Sequence, residues 1–253
     1  MFLPLYDVNR LRFIRRQYVT LAIIVANVGV HAVLWAAGSL GLSGYVVVSL
    51  GYIPSVVNDI AELPPELVSV PEEATLLTYS FLHANWMHLG TNMLFLWVFG
   101  DNVEDALGHF RLAVFYALCA AAGALAHGWL LPVSENPLIG ASGAVAGVSA
   151  AYLMLHPRVR VWILVLYRIP LPIPAWVPLG LWVAMQFVMI AADPFGEVSW
   201  AAHVGGILAG AALVIVMRRR GVPLFDRRIV PPEAAILGPP GTNPHPLPRW
   251  GRG

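Results

Sequence analysis

Apolar residues in this chain run in long unbroken blocks and do not alternate with polar ones at the period of a water-soluble helix. Six blocks stand out: Tyr18–Gly38, Asn85–Leu107, Phe110–Leu131, Ser142–Leu155, Ala175–Ala192 and Trp200–Met217. A helix crossing a bilayer needs roughly 20 mostly apolar residues, and five of the six approach or reach that length; the fourth is short. The first apolar run is longer than the core of a cleaved signal peptide, so a retained helix is expected. The pattern predicts an all-α, polytopic membrane protein with six transmembrane helices. Residues 1–17 form a leading segment, 18–217 the six-helix domain with a long loop at 39–84, and 218–253 a proline-rich tail expected to be disordered.

Composition strengthens this reading. Of 253 residues 58% are hydrophobic and only 11% charged, against about 25% charged in ordinary soluble domains. Every basic residue is arginine, and the arginines are not spread evenly. They precede the first block, sit between blocks two and three and between four and five, and follow the sixth; the other three connections have none. The positive-inside rule then puts both termini in the cytoplasm and the arginine-free loops, rich in Asp and Glu, outside. A net charge of +1 gives no electrostatic footprint for nucleic acid. Cys119 lacks a partner for an intrachain disulfide and reads as a small core residue.

Polar side chains within the blocks are few, and at membrane depth they usually face a bundle interior or a wet cavity. They are His31, His88, Asn92, His127, Ser142, Ser149, Gln186 and His203, with His83 just before the second block. Asp101, Glu104 and Asp105 fall at the cytoplasmic end of helix two, where water is expected to reach them. The topology puts His88 and Asn92 in the outer half of helix two, on one face by their i,i+4 spacing. Ser142 falls in the first turn of helix four and His203 one turn into helix six, at similar depth. Fourteen residues span only about 21 Å, so the fourth helix would begin below the membrane surface with Ser142 at the floor of a depression. Gly143 and Gly147 on helix four, and Gly206 and Gly210 on helix six, are spaced to let two backbones approach closely. Such packing would bring Ser142 and His203 together.

A serine hydroxyl is a poor nucleophile until a base takes its proton. His203 is the candidate base, and free N–H groups at the start of helix four, with His88 and Asn92, are candidate oxyanion donors. In the spans, no carboxylate shares this depth, so the reading is a Ser–His dyad. Each residue also has a packing explanation: the remaining histidines as interhelical hydrogen-bonders, Gln186 as packing glue, the small residues as helix contact. No H-E-x-x-H zinc motif and no intramembrane aspartate pair occurs.

The stretches "HANWMHLGTNMLFLWVFGDNVEDALG", "GASGAVAG" and "AAHVGGILAG", in that order, resemble the rhomboid family of intramembrane serine proteases over roughly residues 78–216. The resemblance implies Ser142 as nucleophile, His203 as general base and His88 and Asn92 as oxyanion helpers, with Gly140, Ala141 and Gly143 around the serine. It gives His83 a supporting role and makes Gly206 and Gly210 packing glycines. Two positions depart from the family pattern. Ala146 stands where many relatives carry an aromatic that stacks on the catalytic histidine, and Ala74–Thr75 where a Trp-Arg pair is common. The resemblance further implies transmembrane protein substrates, a cell-membrane location with the site open to the outer face, and no metal or other cofactor. Substrate access is expected between helices two and five. A non-catalytic relative that binds transmembrane segments is the alternative; a proton-relay transporter lacks charged partners in mid-span.

Overall fold

The computed structural model describes residues 2–38, 42–165, 168–194, 196 and 198–226. Helix α1 (Tyr18–Ala37) is followed by three short helices, α2 (Leu42–Leu50), α3 (Pro54–Val57) and α4 (Thr75–Thr78). Five long helices come next: α5 (Trp86–Leu107), α6 (His109–Leu130), α7 (Ser142–Leu155), α8 (Trp176–Ala192) and α9 (Trp200–Met217). Among the described residues α1, α6 and α9 are long and apolar enough to cross a membrane by length and composition. Helices α7 and α8 are apolar but shorter, and α5 carries three carboxylates in its last two turns.

The surface has the polarity of a membrane protein. Helix α1 buries Thr20, Asn27 and His31 while Val25, Val33 and Trp35 are each about two-thirds exposed. That is the inverse of a helix folded in water, where apolar side chains turn inward. Phe110 and Trp129 of α6 and Val216 of α9 extend the same apolar exterior. At the centre lies α7, with all but three of its residues buried. Its small side chains let α5, α6 and α9 close around it.

The expectation of an all-α chain needs correction. A three-stranded antiparallel sheet, β1 (Phe2–Asp7), β2 (Arg160–Val165) and β3 (Ile169–Pro174), is ordered β1-β2-β3. The leading segment is therefore not bare, and the "IPLPIP" run before α8 is an edge strand. Pro170, Pro172 and Pro174 recur at every second position of it. Proline lacks a ladder donor and is confined to such edges, so the alternation lets one side of β3 pair while the other stays closed to a further strand. The sheet lies at the end of the bundle where α5 and α7 finish, opposite the α7 N-terminus. There Tyr152 of α7 donates its hydroxyl to Asp7 Oδ2 at 2.5 Å and Asn102 Nδ2 donates to the same oxygen at 3.1 Å.

The carboxylates of α5 also differ from expectation. Glu104 is wholly buried and Asp105 nearly so, because each caps backbone that nothing local could cap. Glu104 accepts from the N–H groups of Val19 and Thr20 at 2.9 and 2.8 Å and from the Thr20 hydroxyl at 2.6 Å. It thereby satisfies first-turn donors of α1, whose own N-cap residue, Gln17, makes no side-chain capping bond. Asp105 accepts from the N–H groups of Arg12, Phe13 and Ile14 at 2.9, 2.6 and 2.8 Å. The start of the expected tail is also docked: Arg219 N–H donates to the Ala106 carbonyl and Phe225 N–H to that of Met154. The rest of that tail, from 227 onward, lies outside the described residues.

Candidate active site

Helices α7 and α9 meet backbone to backbone. A Cβ on Gly206 would fall onto the Gly143 carbonyl oxygen and 2.7 Å from its carbon. A Cβ on Gly210 would meet the Gly147 carbonyl oxygen and lie 2.5 Å from its Cα. The pairing of 143 with 206 and 147 with 210 advances by four on both helices, so they run in the same direction from the same end. Ser142 lies one residue before the first contact and His203 three before it. At 1.5 Å rise per residue their positions differ by about 3 Å along the shared axis.

The approach to Ser142 is held by the long loop between α1 and α5. Tyr52 and Leu138 exchange both backbone hydrogen bonds, at 3.1 and 2.8 Å. The Tyr79 carbonyl accepts from Gly140 N–H at 3.0 Å, and the Tyr79 hydroxyl donates to the Ala120 carbonyl of α6 at 2.8 Å. Gly140 has φ +122°, a conformation that favours glycine. A Cβ there would lie 2.7 Å from His88 Cε1 and 3.8 Å from Ser142 Oγ. His88 and Ser142 thus border the same small space above Gly140, which a side chain would fill. The N-cap of α7 is Ala141, which offers no side-chain cap. Its own N–H donates to His83 Nε2 at 3.4 Å, so Ala141 braces the loop, and among the described residues no side chain caps the first-turn N–H groups after it. Burial, helped by His88 and His31, holds the His83 pKa down to about 3, leaving a neutral ring able to accept.

Helices α5 and α9 are capped so as to fix their side chains. Asn85 is the N-cap of α5 and its Oδ1 accepts from His88 N–H at 2.8 Å. One turn on, buried Asn92 donates Nδ2 to the His88 carbonyl at 2.9 Å, which keeps its amide beside His88. Ser199 caps α9 by accepting from Ala202 N–H at 3.2 Å and bonds His127 Nδ1 of α6 at 2.7 Å. His127 therefore steadies the helix that carries His203. His31 packs edge-on against Trp86 with ring centres 4.6 Å apart, and Ser149 bonds back to the Val145 carbonyl within its own helix. Neither approaches Ser142 through a described contact.

His203 Nδ1 lies 2.8 Å from Gln186 Oε1. Trp200 meets the imidazole edge-on at 6.0 Å and Trp182 lies tilted at 6.2 Å between ring centres. Trp182 packs on the small cluster of Ala146, Ala150 and Ile207, so the alanine at 146 leaves room for an aromatic from α8. Sequence reasoning treated Gln186 only as packing and passed over Tyr52 and Tyr79. The one signal for Gln186 was an amide in an otherwise apolar helix.

A sequence model of the Rhomboid domain matches residues 71–220. The chain belongs to the rhomboid family. Among its rhomboid relatives are "Rhomboid protein 1, mitochondrial" of Saccharomyces cerevisiae, 32% identical over 145 residues, which are 56% of this chain and 41% of the yeast protein. "Rhomboid protease AarA" of Providencia stuartii is 30% identical over 152 residues, 53% of this chain and 52% of that protein. "Inactive rhomboid protein 1" of Drosophila melanogaster is 30% identical over 103 residues, 40% of this chain and 7% of that much longer protein. The chain spans about half the length, or less, of these relatives. The family thus includes a named protease and a named inactive member.

Proposed function

We propose that this rhomboid is an intramembrane serine endopeptidase that cleaves transmembrane proteins by a Ser142–His203 dyad. The observation that carries the reading is the glycine-on-carbonyl contact of two parallel helices, which sets a serine and a histidine at the same end of adjacent helix starts. His203 Nε2, the ring nitrogen not engaged by α8, accepts the Ser142 proton as Oγ attacks the substrate carbonyl carbon. The new C–O bond pushes the carbonyl electrons onto oxygen. First-turn N–H groups of α7, at its positive dipole end, receive that charge with the His88 and Asn92 side chains. Collapse breaks the C–N bond, and the imidazolium returns the proton to the leaving amine. Water, activated by the same ring, then hydrolyses the acyl ester and frees Ser142.

In this reading all six long helices span the cell membrane with both termini cytoplasmic, as the arginine distribution supports, and α7 opens to the outer face. A transmembrane substrate reaches the site between α5 and α8, whose contact includes Phe95 and Trp182 with ring centres 5.9 Å apart. It must unwind there, because a helix hides its peptide groups in its own hydrogen bonds. The test is labelling with a fluorophosphonate probe in detergent, comparing wild type with Ser142→Ala and His203→Ala. Label on wild type and its loss in both variants is expected. Equal labelling of all three overturns the dyad, and no labelling of wild type favours a non-catalytic binder of transmembrane segments.

A further inference from the structure

We infer that Gln186 is a positioning residue for His203: it fixes the imidazole in the tautomer that leaves Nε2 free to act as base, and does so only while α8 is packed against α9. The inference rests on the dyad reading above.

The amide orientation follows from its other bond. Gln186 Nε2 donates to the Trp182 carbonyl one turn back, at 3.1 Å. That carbonyl can only accept, so it must face the NH₂ group, and Oε1 is the atom turned to His203. Oε1 can only accept in its turn. The proton between Oε1 and His203 therefore belongs to Nδ1, and a neutral imidazole with its proton on Nδ1 keeps a bare lone pair on Nε2. One bond to backbone and one between side chains thus choose the tautomer with no carboxylate. Gln186 is wholly buried, so water does not compete for these bonds.

The placement on α8 gives the bond a second consequence. Among α8 residues only Pro178, Leu179 and Gln186 are buried, so the helix is held mainly at its first turn and at this amide. The rings against His203 come from both sides of the seam, Trp200 from α9 and Trp182 from α8. With Ala146 at the α7 position facing this cluster, the bond and one of the two rings that orient His203 belong to α8. Displacing α8 from α9 removes Oε1 and Trp182 together, and His203 loses the partner that keeps its proton on Nδ1. A substrate that parts α5 from α8 must let α8 return to α9 before chemistry can proceed.

Two substitutions separate this from packing. Gln186→Met keeps the length of the side chain and removes the acceptor; Gln186→Glu keeps an oxygen acceptor at the same place and adds a group that is poorly tolerated in an apolar seam. Positioning requires that Gln186→Glu retain more activity than Gln186→Met, with the Met variant about 10- to 100-fold down in kcat and little changed in KM. A packing role requires the reverse order. The direct readout is the ¹⁵N spectrum of histidine-labelled wild type, with the His203 signals assigned by their loss in His203→Ala. A neutral ring protonated at Nδ1 is expected; protonation at Nε2 in the wild type overturns the inference whether or not either variant folds. Cleavage by Ser142→Ala run alongside keeps the two readings apart. If that variant still cleaves, the dyad fails; if it is inactive while Gln186→Met stays within threefold of wild type, only the role of Gln186 fails.

Discussion

Gly206→Ala tests the contact on which the site is built. The added methyl carbon would occupy the place of the Gly143 carbonyl oxygen and lie 2.7 Å from its carbon and 3.3 Å from its Cα. Non-bonded carbons rest about 3.5–4.0 Å apart, so α9 must back away from α7 by roughly 1 Å. The obstacle is backbone in the first turn of α7, one residue from Ser142, and it cannot swing aside as a side chain would. Overpacking of this kind costs about 1–3 kcal/mol of stability. A displacement near 1 Å between reacting groups costs on the order of 100-fold in rate. Cleavage of a single-span reporter in proteoliposomes should therefore fall by about two orders of magnitude, while helical circular dichroism in detergent shows a folded protein with a lowered Tm. Gly29→Ala and Gly180→Ala are the controls, since a Cβ at either position meets nothing within 4 Å; both should keep wild-type activity. Full activity of Gly206→Ala with an unchanged Tm would refute the claim that this contact sets the dyad.

Three further outcomes are expected. Glu104→Ala strips the acceptor from three donors at the start of α1 and should lower stability by roughly 3–5 kcal/mol, read as a loss of Tm in detergent. Asp7 is lifted by burial from 3.8 to about 7, so between about pH 4 and 7 the folded state holds a proton that the unfolded chain has lost. Stability attributable to this group therefore falls as pH rises through that window; Asp7→Asn should raise Tm at pH 8 and leave it nearly unchanged at pH 4. Phe95 and Trp182 meet through their rings, so a reductant-cleavable bis-thiosulfonate cross-linker bridging Phe95→Cys and Trp182→Cys should slow cleavage by joining α5 to α8, with reductant restoring the rate of the double variant; equal rates before and after reduction would exclude access through this seam.

The helices were readable because bilayer burial writes itself as long apolar runs. The α7 start at Ser142 and the four-residue glycine spacing on α7 and α9 were visible for the same local reason. What the sequence hid depends on distant partners. Strand β1 pairs with residues 154 to 163 positions away, and neither its short length nor the prolines of β3 announce a sheet. Glu104 and Asp105 looked like solvated charges at a helix end; their burial makes sense only once the uncapped N–H groups of residues 12–20 are brought to them. Gln186 was legible as an oddity but not as a partner of His203, because that requires knowing how α8 turns against α9. The support of the Ser142 approach by Tyr52 and Tyr79 was hidden likewise, since a tyrosine in a long loop carries no periodic signal.

The most direct measurement is hydrolysis itself. Purified protein reconstituted in liposomes with a single-span reporter bearing Gly and Ala near its outer end, in water enriched in heavy oxygen, should yield two fragments. The new C-terminal carboxylate should carry the label, and Ser142→Ala should yield neither fragment. Fragments of the same mass and amount from Ser142→Ala, cut at the same bond, would contradict a serine nucleophile at this site.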